Sequence, residues 1–341
     1  MALIKSKKLN SKHLILFIIL CSLFGCQKKT SELPSLKAKT FLIEGQSEDG
    51  SWDPLKFEGS FEHNDGKIAI TALAAAALLE YQDNKSKKSC QLAIDFLLKQ
   101  QKPDGSIGER NYANGISFYF FAKAISQPRN VNQKKIERLL SNVLSKQSEI
   151  GAWDYVEANA ERNDMSISAW VCMGLNLLKN NQEAQESLVK INKMLNKDKS
   201  GAGDDSVSTL ASSAYTYGEN PNSPSGKVLR SPGTTVQAII LFIKSTALEF
   251  RQSNWVETAK KDQIKALTGN SNASLYQTFF ILQARKNGIK FNQEWLDSIQ
   301  KLIQKDQVAD GSWPLTSPPI QFGGKIMATA MGLILLQELK K

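Results

Sequence analysis

One turn recurs along the chain and decides what can be built from it. "QSEDGSW" begins at Gln46, "QKPDGSI" at Gln101, "QSEIGAW" at Gln147 and "QVADGSW" at Gln307. "KDKSGAG" from Lys197 keeps only the glycine of the frame. These starts are 55, 46, 50 and 110 residues apart, so the last gap holds two periods and one repeat without the motif. A period of roughly fifty residues is the size of a helical pair with its connections.

Both sides of each turn have helical spacing. Before the turns stand "SLKAKTFLIEG", "CQLAIDFLLKQ", "KKIERLLSNVLSKQ", "EAQESLVKINKMLNK" and "EWLDSIQKLIQK", each with one apolar face and one charged face. After them come "KIAITALAAAALLEY", "ANGISFYFFAKAI", "DMSISAWVCMGLNLL", "GTTVQAIILFIKSTAL" and "GKIMATAMGLILLQEL", apolar nearly all round as helices buried between layers are. The repeat without a motif supplies "WVETAKKDQIKAL" and "ASLYQTFFILQARK". An open stack of such pairs leaves a terminal apolar face exposed, whereas a ring uses every face. The expectation is an all-α fold: a closed α/α toroid of six helical hairpins, an (α/α)6 barrel with six amphipathic helices outside six buried ones.

In that setting the recurrent turn is structural. Gly50, Gly105, Gly151 and Gly311 suit the left-handed position after a helix end. Asp49, Asp104 and Asp310 can accept from backbone donors in the turn. Trp52, Trp153 and Trp313 are expected to wedge between neighbouring repeats, their ring nitrogens seeking acceptors. Gln46, Gln101, Gln147 and Gln307 complete the frame.

The glutamine, aspartate-glycine and tryptophan frame between alternating outer and inner helices resembles the prenyltransferase and squalene cyclase repeat superfamily over residues 35 to 340. The blocks "GAWDYVEANAERNDMSISAWVCMGL", "AYTYGENPNSPSGKVLRSPGTTVQAIILF" and "DGSWPLTSPPIQFGGKIMATAMGLILL" are similar to secreted bacterial proteins that carry these repeats and have no settled biochemical role. The resemblance implies the toroid; function does not follow from it, because such folds host several chemistries. The acid motif of squalene cyclases, Asp-x-Asp-Asp, is incomplete: "GAGDDS" has Asp204 and Asp205 but Ala202 at the first aspartate. The length suits one toroid rather than the two-domain plan of triterpene cyclases. No Gly-Cys-Gly-Glu-Gln stretch exists for a thioester domain.

The start of the chain reads as targeting. Lys5, Lys7, Lys8 and Lys12 precede the apolar run "LILFIILCSLF", which is too short for a permanent membrane span. It ends in "LFGC", which resembles a bacterial lipobox with Cys26 as the lipidated residue. The expected organisation is a lipoprotein signal peptide over residues 1–25, a polar tether over 26–34 and a single toroid over 35–341. Gln27 after the cysteine implies, by resemblance, a lipoprotein of the outer membrane where the host has one. Without residues 1–25 the net charge falls from +10 to +6. The remaining bases are dispersed along the sequence, so nucleic-acid binding has no support.

Behind Cys26 stand only Cys90, Cys172 and His63 as soft ligands. A zinc site of the protein-prenyltransferase kind needs an aspartate, a cysteine and a histidine together, and Cys172 lies deep along its helix; no metal and no cofactor are expected. A ligand site is expected instead at the end of the ring where six inner-helix N-termini converge. The long polar connections there place His63, Asp65, Arg110, Tyr112, Glu157, Arg162, Asp164, Tyr215, Tyr217, Arg230 and Lys325 around one mouth, with Asp65 and Asp164 at positions suited to helix caps. The longest connection, between Gly203 and Thr235, is expected to fold across it. Two functions fit: a lipid-anchored scaffold binding a small molecule, lipid, glycan or protein, or an envelope enzyme acting on an isoprenoid or, through His63, a tyrosine and Glu157, on a polysaccharide.

Overall fold

The computed structural model describes residues 34–61, 63–127, 130–156, 164–197, 233–251, 254–268 and 274–341. Among them are α1 (34–44), α2 (Asn64–Leu78), α3 (Asn84–Lys99), α4 (Asn111–Ile125), α5 (Gln133–Ser145), α6 (Met165–Leu177), α7 (Gln182–Lys197), α8 (Gly233–Ser245), α9 (Asn254–Thr268), α10 (Leu275–Lys286), α11 (Gln293–Lys305) and α12 (Pro318–Leu339). Short 3-10 turns at Pro54–Phe57 and Leu248–Phe250 complete the described elements. Several helices start where the sequence offers a side-chain acceptor. Asp83 takes the Ser86 N–H, Asn132 the Lys135 N–H, Asp164 the Ser166 and Ile167 N–H groups, and Asn292 the Trp295 N–H.

Helical periodicity then sorts the elements into two layers. In α5 the buried apolar residues are Ile136, Leu139, Leu140 and Val143, one stripe at intervals of three and four. In α2 the run from Ile68 to Leu78 is buried without interruption. The odd-numbered helices are accordingly outside and the even-numbered ones inside. Each inner helix packs on the next, α2 on α4, α4 on α6, α6 on α8, α8 on α10 and α10 on α12, and α12 returns to α2. The toroid expected from the repeat count is therefore closed.

The recurrent turn is the clasp between repeats. Each glutamine bonds the carbonyl of its own turn glycine and a carbonyl on the next outer helix: Gln46 reaches Ser89 O at 2.9 Å, Gln101 reaches Lys135 O at 2.8 Å and Gln147 reaches Ser187 O at 3.0 Å. Gln307 reaches Pro34 O of α1 at 2.8 Å, joining the last repeat to the first. The glycines allow this approach. Gly50 has φ of 87°, and a Cβ there would lie 2.3 Å from Leu92 O of α3; Gly311, at φ of 92°, would meet Lys37 O of α1 at 2.6 Å.

Aspartate and tryptophan divide the remaining work. Asp49, Asp104 and Asp310 each take the N–H and the hydroxyl of the serine two residues on. The Ser106 donors hold the Asp104 carboxyl below the usual carboxylate range. In the third copy Ile150 replaces the aspartate, and the Ser148 hydroxyl takes the Ala152 N–H instead. The tryptophan ring nitrogens do not reach a neighbouring repeat. Each bonds the outer helix of its own repeat, Trp52 to Leu42 O at 2.7 Å, Trp153 to Val143 O at 2.8 Å and Trp313 to Ile303 O at 2.8 Å. Glutamine thus links repeats by hydrogen bonding, and tryptophan locks each hairpin.

Candidate functional site: the mouth and the lumen

Among the described residues the outer-to-inner connections lie at one end of the ring, and the sector formed by the sixth, first and second repeats gathers most of the described candidate residues. Phe61, half-buried in the first connection, stacks on Phe322 with centroids 5.3 Å apart and lies 5.9 Å from Tyr112. Backbone bonds from Ser60 and Phe61 to Phe322 O fix the row. Its support is a break in α12. Gly324 has φ of 66°, and a Cβ there would come 2.2 Å from Phe57 O, so only glycine lets the first connection lie this close. Lys325 follows the break and pairs with Glu58, whose carboxylate raises the Lys325 pKa.

Around this half-buried aromatic row His63 and Arg110 are exposed. Asp65 departs from the expected cap. It is the second residue of α2, and its two oxygens take the N–H groups of Glu109 and Arg110 at 2.8 and 2.7 Å, tying the first connection to the second. The residue at the α2 cap is His63, which makes no side-chain cap bond. Asp164 is a true cap on α6, in the third repeat. Glu157, Arg162, Tyr215, Tyr217, Arg230, the Asp204–Asp205 pair and the connection from Gly203 to Thr235 lie outside the described residues except at its Thr235 end, as do Cys26 and the tether up to residue 33. Sequence reasoning missed Phe61, Phe322 and Glu58; the signal for the two rings was an aromatic residue isolated in an otherwise polar connection.

A second feature lies on the rim between the second and third repeats, a polar cleft of about 180 Å³ lined by Lys102, Asp104, Asn111, Asn114, Asn142 and Lys146 among others. The second turn carries Ile107 where the other complete copies carry tryptophan. The cleft's asparagines serve the loops: Asn114 accepts from the Ile107 and Gly108 N–H groups, and Asn111 donates to Asp154 O.

The lumen is filled where it can be followed. Trp170 on α6 reaches Phe279 and Phe280 on α10 at 5.3 and 5.6 Å, across the axis, since α8 separates those helices in the ring. Tyr119 on α4 flanks it at 6.1 Å. Three of the lumen's polar groups pair with one another: the Tyr276 hydroxyl meets the Ser166 hydroxyl and accepts from Trp170 Nε1 at 3.2 Å. Trp170, Phe279 and Phe280 have 0% of their surface accessible, so no water-sized void adjoins these rings.

At the opposite end, the base, ion pairs that run from buried to exposed link the inner helices. Lys123 lies 3.3 Å from Glu80 and donates to Ala76 O; Lys286 pairs with Glu338 at 3.0 Å; Lys341 stands between Glu80 and Glu338 at 3.6 and 3.7 Å. Burial alone would raise the Glu80 pKa, but Lys123 and Lys341 outweigh it and hold the group ionised. Burial lowers the Lys123 pKa against the pull of Glu80. Cys90 and Cys172 are buried and not joined in a disulfide; the Cys90 thiol donates to Ala75 O at 3.7 Å, and burial raises the Cys172 pKa. Among the described residues no group of three or more His, Cys, Asp and Glu side chains is placed to hold a metal ion.

Residues 5–154 match the family model of the prenyltransferase alpha-alpha toroid domain. Among solved structures, the chain is similar to the type II terpene cyclase MstE from Scytonema in its apo form, with a TM-score of 0.61 at 13% identity over 92% of this chain and 98% of that one. It is equally similar, at 12% identity and a TM-score of 0.61, to a variant of that cyclase holding its product merosterolic acid A, over 91% of this chain and 97% of that one. At such identities the likeness is one of fold. No curated protein matches the sequence. That cyclase is itself a chain of nearly this length.

Proposed function

We propose that this α/α toroid, whose residues 5–154 match the prenyltransferase alpha-alpha toroid domain, is a lipid-anchored cell-envelope protein that serves as a ligand- or partner-binding scaffold at the mouth. The aromatic cluster packed across the ring between α4, α6 and α10 carries this reading. A cyclase must fold a flexible isoprenoid inside the ring and hold a protonated acid against it. Here Trp170, Phe279 and Phe280 occupy that space with no accessible surface, and the carboxylates at the base, Glu80 and Glu338, are neutralised by lysines. The mouth, by contrast, offers half-buried rings beside exposed polar groups, a surface that suits a polar or glycan-like ligand.

The competing reading, an envelope enzyme acting on an isoprenoid lipid or a polysaccharide, draws its support from the size and fold shared with a type II terpene cyclase. The mouth decides between them. Arg110→Ala and Tyr112→Ala are expected to weaken ligand binding at least several-fold with little change in melting temperature; undiminished binding in both variants would overturn the assignment of the site to this sector. An enzyme requires in addition one carboxylate or His63 whose removal abolishes turnover while binding persists.

Anchoring is tested separately. Metabolic labelling with a radioactive fatty acid should mark the wild-type chain and leave Cys26→Ala unlabelled. Equal label in both chains would remove the lipoprotein assignment and leave the toroid reading standing.

A further inference from the structure

The two ends of the toroid differ in charge in a way the sequence order conceals. The base comprises the last turn of each inner helix, the first turn of each outer helix and the connections between them. Among its described residues fourteen Lys and Arg stand against seven Asp and Glu. At the mouth, taken the same way, nine bases stand against thirteen acids. Among the described residues of the two ends, the net positive charge therefore lies at the base. Lys85, Lys87, Lys134, Lys179 and Lys290 are all exposed there. Leu248, 76% exposed, projects from the same end, to which Ile125 and Leu177, each 37% exposed, also belong as the last residues of the two preceding inner helices.

The chain also enters the toroid at this end. α1 begins at residue 34, at the base, and runs toward the mouth. Seven residues separate Cys26 from that helix, a stretch that reaches at most about 25 Å when fully extended. A lipid on Cys26 would hold the basic face within that distance of the bilayer, with the acidic mouth directed away.

We propose that the base of the toroid is a docking surface for an anionic lipid bilayer, seated by its lysines and by Leu248, so that the mouth faces away from the membrane. The orientation rests on the lipoprotein reading, but the affinity of the face does not. Each lysine near an anionic surface strengthens attachment by about fivefold, and salt screens the effect. The occupant follows from charge complementarity and from the short tether.

The test uses the chain from Gln27 onward, which contains every element of the closed ring and no lipid. It is sedimented with vesicles of phosphatidylcholine containing increasing phosphatidylglycerol. Binding is expected to rise steeply with the anionic lipid and to fall with added salt. Lys87→Glu combined with Lys134→Glu should weaken it by at least tenfold. Lys56→Glu combined with Lys99→Glu, the same charge change at the mouth end, should weaken it far less. Absence of binding to phosphatidylglycerol vesicles, or equal loss from both pairs, would overturn the docking surface even where labelling confirms lipid on Cys26. Binding that persists when labelling fails would support the surface and remove only the anchor.

Discussion

Trp313→Ala is expected to lower the stability of the toroid by about 3–5 kcal/mol. The indole is fully buried, its Nε1 donates to Ile303 O at 2.8 Å, and Gly332 lies so close to its face that a Cβ there would meet the ring at 2.7 Å. Truncation leaves a cavity that this tight contact cannot refill, together with an unpaired helix carbonyl. It also loosens the turn through which Gln307 holds Pro34 and closes the ring. Chemical denaturation of the wild type, Trp313→Ala and Trp313→Phe would measure it. Phenylalanine should recover most of the loss, because it restores most of the volume and lacks only the hydrogen bond. Ligand binding at the mouth should survive below the new melting temperature; lost binding with an unchanged midpoint would mean that the indole is a contact residue and not a structural one.

The second large effect is expected at Trp170→Ala. This ring touches four aromatic neighbours on α4 and α10 and donates to the Tyr276 hydroxyl. Its removal should cost about 3–5 kcal/mol and leave an apolar hole in the middle of the ring. A void of that kind stays dry and accepts small apolar guests. Xenon or benzene should therefore raise the melting temperature of Trp170→Ala and leave that of the wild type unchanged. Stabilisation of both chains would reveal a cavity already present in the wild type and would weaken the case for a filled lumen.

The helices and their layers were legible in the sequence because each depends on a local period. The stripe at Ile136, Leu139, Leu140 and Val143 reads as an outer helix without any knowledge of its neighbours. Closure was also legible, since six hairpins without polar ends must bury both terminal faces. What the glutamines grip was not, because Ser89, Lys135, Ser187 and Pro34 lie on the next outer helix and no short-range pattern names them. The same limit explains Asp65. Its position one residue inside α2 looks like a cap, yet its partners belong to a turn more than forty residues away. The polar connections could be assigned to one end of the ring from the helix order, but the stacking of Phe61 on Phe322 joins the first connection to the last inner helix and becomes visible only once the ring is closed. The aromatic residues of the inner helices raised the question of an isoprenoid cavity, which composition cannot answer: the same rings line a hollow lumen or fill a solid one.

That question has a direct measurement. The chain contains six tryptophans, and Trp170 lies at the centre of the lumen, where an isoprenoid guest would displace or contact it. Tryptophan fluorescence of the chain from Gln27 onward, titrated with squalene and with a long-chain polyprenol in detergent, would report entry, and chromatography of the extracted lipids would report turnover. A filled lumen predicts no saturable change beyond the detergent blank and full recovery of the starting lipids. Saturable quenching in the wild type, or any cyclised product, would contradict the account and make this toroid an isoprenoid enzyme.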